Sequence, residues 1–187
     1  LGLVILIRRQ KINFSDIRRN LLYICISGAI LGINWILLFE AYRFTSVATA
    51  TLCYYLSPIM LVAVSPFIFK EKMTARKLIC IVVALIGMVF VSGILNAGIS
   101  GISELRGIML ALCAAVLYTC IVMLNKMIKG ISPYDKTLLQ LAISALVLLP
   151  YNLFSGSFSG AALSPLTLVL LLIVGAVHTG LAYYLYF

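Results

Sequence analysis

The chain has 187 residues, of which 64% are hydrophobic, and its mean hydropathy is +1.18. Soluble domains are typically about 45–50% apolar, so this composition excludes an ordinary soluble fold and predicts a membrane protein. The 14 Lys and Arg residues against 5 Asp and Glu give a net charge of +9, but they lie in short segments between apolar runs, which excludes a nucleic-acid-binding face and any nucleic-acid partner.

Six long apolar runs divide the chain, and each is 17 to 23 residues long. A helix needs about 20 residues to cross the hydrocarbon of a bilayer, so the runs are long enough to span it. They are continuously apolar and lack the period-2 alternation of barrel strands, which favours helices. The predicted spans are 21–42, 47–69, 78–95, 107–124, 138–154 and 166–187.

Twelve of the 14 basic residues fall in three connections, 8–19, 70–77 and 126–136. The connections between these three are nearly bare, so successive crossings exchange a basic side for a neutral one. Because basic loops stay on the cytoplasmic side, we predict a multi-pass protein of the plasma membrane, of bacterial type, with these three connections in the cytoplasm. Contact with anionic lipid of the bilayer is expected as a secondary effect.

No cofactor and no metal site are predicted. The five cysteines lie inside apolar runs, none forms a CxxC pair, and no histidine accompanies them at metal-ligand spacing. We interpret them as small buried hydrophobic residues. The chain also has no Gly-rich nucleotide-binding loop, so ATP is not expected to be a direct energy source.

The Gly- and Ser-rich segment 96–103 predicts a boundary between two units, 1–103 and 104–187. A shift of 148 residues sets Gly32 on Gly180, Leu37 on Leu185 and Phe39 on Phe187. The same shift lays the first basic connection over the uncharged segment 156–165. A second unit that is inverted in the membrane would place this segment outside, where positive charge is not expected.

Five short segments follow one another in a characteristic order: NWILLFEAY at 34–42, TSVATA at 45–50, LSP at 56–58, FKEKMT at 69–74 and GMVFV at 87–91. The order is a helix, a short turn, a Pro-containing helix, a charged turn and a Gly-containing helix. In this respect residues 28–93 resemble the EamA-type drug/metabolite transporter superfamily. Residues 105–187 resemble the start of that family's second repeat more loosely.

The resemblance implies an all-α polytopic membrane protein built as a ten-helix bundle of two inverted five-helix repeats. Residues 1–7 are too short to span and Phe187 falls inside an apolar run, so we expect a fragment that lacks both ends. Residues 1–103 would be the remainder of the first repeat, from the end of its second helix through its fifth. Residues 104–187 would be the start of the second repeat, helices six to eight.

A set of amide, indole, imidazole and phenol side chains lies near the middle of several spans. If the helices bring them together, they form an aromatic pocket at the midplane, where alternating-access transporters bind substrate. Ordinary helix packing, with the hydroxyls bonded to neighbouring backbone, is the alternative for each residue. The substrate-binding candidates are Asn34, Trp35, Tyr54, Tyr55, Tyr118, His178 and Tyr183.

Two titratable residues are candidates for proton coupling. Glu40 is the only acid inside an apolar run, where a carboxyl group is costly. Arg43 lies three residues further on, so an interfacial ion pair is the alternative for Glu40. His178 is the only histidine and titrates near physiological pH, but a hydrogen-bonded histidine within the bundle explains it equally.

Two further residues allow a functional and a structural interpretation. Pro58 interrupts the hydrogen-bond ladder near the centre of its span, which predicts either a gate hinge or a passive kink. Lys126 ends a span on the basic side, where it either extends to the interface or binds an anionic substrate.

The leading hypothesis is a secondary active transporter that exports a small metabolite, amino acid or drug by alternating access, with proton coupling as one option. It is not expected to be an enzyme. One alternative is a non-transporting membrane subunit or assembly protein. Another is an enzyme for lipid-linked substrates, for which the loop acids Asp16 and Asp135, far apart in sequence, would be the candidates. The expected partners are a small-molecule substrate and the lipid bilayer, and a homodimer is one option for the oligomeric state.

Overall fold

A computed structural model describes residues 14–70, 74–92, 101–155 and 164–173. Within these ranges the chain forms seven α-helices and no strand, as the all-α prediction requires. The helices are α1 (Phe14–Phe44), α2 (Val47–Tyr54), α3 (Ser57–Phe69), α4 (Ala75–Ser92), α5 (Ile102–Met127), α6 (Pro133–Phe154) and α7 (Pro165–Ile173).

Four segments of the described chain are long and apolar enough to cross a membrane: Asp16–Phe44, Val47–Phe69, Ile102–Met127 and Asp135–Phe154. Four predicted spans coincide with them, which confirms a multi-pass integral membrane protein. Helix α4 carries a shorter apolar stretch, Leu78–Gly87. The predicted spans 78–95 and 166–187, and the boundary segment 96–103, lie partly outside the described residues.

The predicted basic connections prove partly helical, so their bounds were wrong. Residues 14–19 of the predicted connection 8–19 belong to α1, and α4 begins at Ala75, inside 70–77. In the third connection only residues 128–132 separate α5 from α6. The reason is helix length: the 31 residues of α1 measure about 46 Å at helical rise, longer than the hydrocarbon, so the charged ends continue the helix outside it.

The predicted span 47–69 is a broken helix. The Leu56 amide donates to the carbonyl of Cys53 at 3.2 Å, which is an i→i−3 bond. Pro58 has no N–H and therefore cannot bond the carbonyl of Tyr54. It stands in the first turn of α3, where a proline costs little. Pro58 thus marks the break, while its action as a hinge stays a prediction.

Helix α1 is the centre of the described bundle and packs mainly against α5 and α6. Two glycines make its approach to α6 close. A Cβ atom added at Gly28 would lie 2.8 Å from Cβ of Ile143, and one added at Gly32 would lie 2.8 Å from Cβ of Val147. On the α5 side, Ala111, Ala114 and Ala115 are fully buried. Small residues at both contacts bring the helix backbones together, as is common in membrane bundles.

Candidate functional site

Three of the predicted substrate-binding residues meet at the junction of α1, α2 and α5. Asn34 is fully buried, and its Nδ2 donates to the carbonyl of Ala114 at 2.5 Å. The Tyr54 hydroxyl donates to Oδ1 of Asn34 at 3.3 Å. The rings of Tyr54 and Tyr118 lie 5.5 Å apart, tilted by 58°. Asn34, Tyr54 and Tyr118 are called the Asn34 cluster below.

The Asn34 cluster lies deep in the spanning segments and beside the helix break. Asn34 is ten residues from the end of α1 at Phe44, which corresponds to about 15 Å of helical rise. Tyr54 is the last residue of α2. Next to Tyr118, the hydroxyl of Thr119 lies within hydrogen-bond distance of the carbonyls of Ser57, at 3.1 Å, and Ala115, at 2.9 Å. The start of α3 is thereby held against α5 at the level of the cluster.

The other predicted binding residues are placed less centrally or not described. Trp35 is half-buried on α1; as the neighbour of Asn34 it faces a different side of the helix. Tyr55 is 57% exposed, with its ring 6.5 Å from that of Tyr54. His178 and Tyr183 lie outside the described residues. A role in binding for these four residues stays a prediction.

Glu40 forms a polar contact between α1 and α6 at the end opposite the basic connections. Arg43 Nη1 donates to Glu40 Oε1 at 2.9 Å, and the Tyr151 hydroxyl donates to the same oxygen. The Glu40 side chain is 22% exposed and that of Arg43 is 71% exposed, which is the geometry of an interfacial ion pair. The carboxylate is therefore satisfied by α1 and α6 together, as the structural alternative for Glu40 expects.

A second polar network, absent from the sequence predictions, joins α1, α5 and α6 nearer the basic end. Gln140 is buried, and its Nε2 donates to Ser27 Oγ at 2.6 Å and to Asn125 Oδ1 at 2.5 Å. Nearer that end, Asn20 Nδ2 donates to the carbonyl of Lys129 at 3.0 Å. Gln140 was the available signal, since it is an amide inside the apolar run 138–154, whose other amide, Asn152, lies near the end of the run.

Metal binding has no support in this part of the chain. Across residues 14–70, 74–92, 101–155 and 164–173, no group of three or more His, Cys, Asp or Glu side chains is placed to hold a metal ion. The arrangement offers an aromatic and amide surface instead, suited to hydrogen bonding and to stacking or cation–π contacts.

Polar side chains that meet inside a bundle of spanning helices are typical of transport proteins. The model of the EamA-like transporter family matches residues 1–93. The chain belongs to this family. The EamA match lies within the first predicted unit, 1–103, although the position of the boundary stays a prediction.

One relative among curated proteins is a Bacillus subtilis (strain 168) protein named "Uncharacterized transporter YxxF". It is 32% identical to this EamA chain over 172 residues, which are 91% of the chain and 54% of that protein. The chain therefore spans about half the length of the curated relative it matches. No solved structure matches it. The ten-helix inverted repeat thus stays a prediction.

Proposed function

We propose that the protein is a secondary active transporter that exports a small metabolite, amino acid or drug by alternating access. The observation that supports this most is the Asn34 cluster. Polar side chains inside spanning helices are costly and typically line a substrate path. Transporters also place their substrates beside breaks in spanning helices, and Tyr54 ends α2 next to such a break.

The mechanism uses the Tyr54–Asn34 hydrogen bond as an exchangeable contact. At 3.3 Å this bond is longer than the 2.5 Å bond that fixes Asn34 to Ala114. Asn34 is thus the fixed partner and Tyr54 the movable one. A substrate that offers a donor to Asn34 Oδ1 replaces the tyrosine hydroxyl, and the break at Pro58 lets α2 tilt as Tyr54 leaves. The Tyr118 ring then supplies an aromatic face for the substrate.

We assign a structural role, and no catalytic role, to the acidic residues near the basic end. Asp16 forms an ion pair with Arg19 at 3.3 Å. Asp135 lies in the first turn of α6, where its carboxylate accepts a hydrogen bond from the Ser132 hydroxyl at 2.9 Å. Asp135 and Ser132 act as a helix cap. This arrangement favours a transporter over an enzyme for lipid-linked substrates.

Proton exchange is the energy source in this proposal. Of the two candidates, Glu40 already accepts hydrogen bonds from Arg43 and Tyr151, which suits an anchor between α1 and α6 better than a proton carrier. His178 is therefore the preferred carrier, and its assignment rests on the sequence.

Tyr54→Phe should lower the efflux rate about tenfold, because it removes the hydroxyl that alternates between Asn34 and substrate while keeping the ring. The full-length protein would be expressed in a bacterial host that lacks its major exporters. Cells would be preloaded with labelled amino acids and fluorescent drugs, and efflux followed over time. Tyr23→Phe on the same bundle, where Tyr23 is more than a third exposed, serves as the control. Unchanged efflux for Tyr54→Phe would contradict the role of the cluster.

The basic connections are proposed to face the cytoplasm of a bacterial cell. Alkaline phosphatase fused after Ser46 should be active, since this enzyme folds only outside the cytoplasm, and the same enzyme fused after Lys129 should be inactive. Green fluorescent protein at the two positions should give the opposite result. Active phosphatase after Lys129 would reverse the assigned orientation.

A further inference from the structure

A cleft opens between α3 and α5 at the basic end of the bundle, with a volume of about 370 Å³. Ligand pockets are typically about 300–1,000 Å³, so the space suits a small organic molecule. Its walls are mainly apolar, and its polar end is formed by two consecutive residues of α5. The wall residues are Leu61, Val62, Ser65, Phe69 and Val122, and the polar end is Asn125 and Lys126.

The hydrogen bonds behind the cleft fix which end of the Asn125 amide faces it. The Ser27 hydroxyl donates to the carbonyl of Ile24 at 3.1 Å, so it must accept from Gln140. Gln140 therefore presents its Nε2 group to this region, and its second N–H donates to Oδ1 of Asn125. With Oδ1 of Asn125 bonded to Gln140, we infer that its Nδ2 group, with two N–H donors, is the end that faces the cleft, which Asn125 lines.

The second polar group at this end carries a positive charge. Lys126 Nζ lies 4.1 Å from the centroid of the Phe69 ring, a cation–π distance that holds the ammonium over the wall of the cleft. An amide donor and an ammonium group at one end of an apolar space match the carboxylate of an amphipathic anion.

The cleft also leads towards the Asn34 cluster. Tyr118, Val122 and Asn125 are spaced i, i+4 and i+7 on α5, which places them on one face of the helix. The seven residues from Asn125 to Tyr118 correspond to about 10 Å of rise. An occupant of the cleft therefore lies two helical turns from the cluster on the same face, which favours a transported molecule over a lipid as the occupant.

We propose that the cleft between α3 and α5 is a loading site on the basic side for small monocarboxylates with an apolar body, whose carboxylate binds Lys126 and Asn125. The apolar body lies against Leu61, Val62 and Val122. That a molecule bound in the cleft goes on to be transported rests on the transport function proposed above, whereas its binding there does not.

The test uses 4-(trifluoromethyl)phenylacetate as a probe, with its primary amide and the corresponding phenethylamine as comparators. Binding to the full-length protein in maltoside detergent would be measured by fluorine NMR. The carboxylate should bind about tenfold more tightly than either comparator, because only it accepts charge-assisted hydrogen bonds from both groups. Equal affinity for all three probes would overturn the proposal, since the cleft would then select only for apolar surface.

Binding of the carboxylate probe to variants of the protein tests whether the site is the cleft. Lys126→Gln should weaken carboxylate binding about tenfold, whereas Lys126→Arg should retain most of it and shows that the position tolerates change. Lys129→Gln is the matched control, because it removes the same charge at the same end from an exposed residue. Asn125→Asp keeps the acceptor for Gln140 but turns a negative oxygen to the cleft, so it should abolish binding. Equal losses for Lys126→Gln and Lys129→Gln would overturn the proposal in favour of general charge attraction.

Two further measurements distinguish a carboxylate from a lipid in the cleft, and the loading site from the proposed transport function. Short-chain phosphatidylglycerol that displaces the probe, where short-chain phosphatidylcholine does not, would assign the cleft to anionic lipid and overturn the loading site. Counterflow of the probe in liposomes tests transport separately. If the probe binds as expected but shows no counterflow, the carboxylate site stands and the proposed transport function is contradicted. If the probe shows counterflow but its binding does not depend on Lys126, transport stands and the carboxylate site is overturned.

Discussion

Replacing Gly32 with alanine should destabilise the bundle by about 1–3 kcal/mol, the usual cost of overpacking a tight contact. The added Cβ would lie 2.8 Å from Cβ of Val147 and 3.1 Å from the carbonyl oxygen of Ser144. Neither atom is the far end of a flexible side chain, so the clash can be relieved only if α1 moves away from α6. That movement also strains the Ser27–Gln140 hydrogen bond in the same interface.

Gly87→Ala on α4 is the matched control for this change. Outside the backbone of its own helix, a Cβ atom at Gly87 would meet no atom of the residues that the structure describes within 4 Å. Alanine is favoured over glycine in a helix by up to about 1 kcal/mol, so this variant should be neutral or stabilised. Thermal unfolding in detergent, followed by fluorescence-detected gel filtration, measures both variants. Similar shifts for Gly32→Ala and Gly87→Ala would contradict the close α1–α6 contact.

The fold class was predictable because it depends on quantities that the sequence carries directly. Hydrocarbon thickness fixes the length of a span, and continuous apolarity identifies a helix. Pro58 located the break in the span 47–69 for the same reason, since a missing N–H is a local property. The ends of the helices were predicted poorly, because a charged segment such as the start of α1 can continue a helix beyond the hydrocarbon.

The partners of the polar residues were harder to predict. Within one helix, spacing tells which residues share a face, but the rotation of that face towards a neighbour is set by packing across the whole bundle. Gln140 lies 113 residues from Ser27, and Tyr151 lies 111 residues from Glu40. No local pattern connects such pairs. The Asn34 cluster was foreseeable as a group, since its members lie at one depth, whereas its individual bonds were not.

Asn34→Asp is expected to abolish efflux and to lower stability by about 3 kcal/mol or more. The change replaces the amide donor to the Ala114 carbonyl by a carboxylate oxygen, so two acceptors face each other at a fully buried position. An ionised carboxyl near the middle of a spanning helix itself costs about 2.5–3.5 kcal/mol on insertion scales. The remaining oxygen would hold the Tyr54 hydroxyl more strongly, which opposes its exchange for substrate.

Asn152→Asp makes the same chemical change where it should be harmless, and this contrast isolates the effect of position. Asn152 Nδ2 also donates to a backbone carbonyl of its own helix, that of Leu148 at 3.0 Å. It lies half-buried in the last turn of α6, where water can solvate a carboxylate, so stability should change by less than about 0.5 kcal/mol. Efflux and thermal unfolding would be measured for both variants side by side. If Asn34→Asp retained the efflux of Asn152→Asp, the buried amide would be a packing residue and the proposed exchange between Tyr54 and substrate would fail.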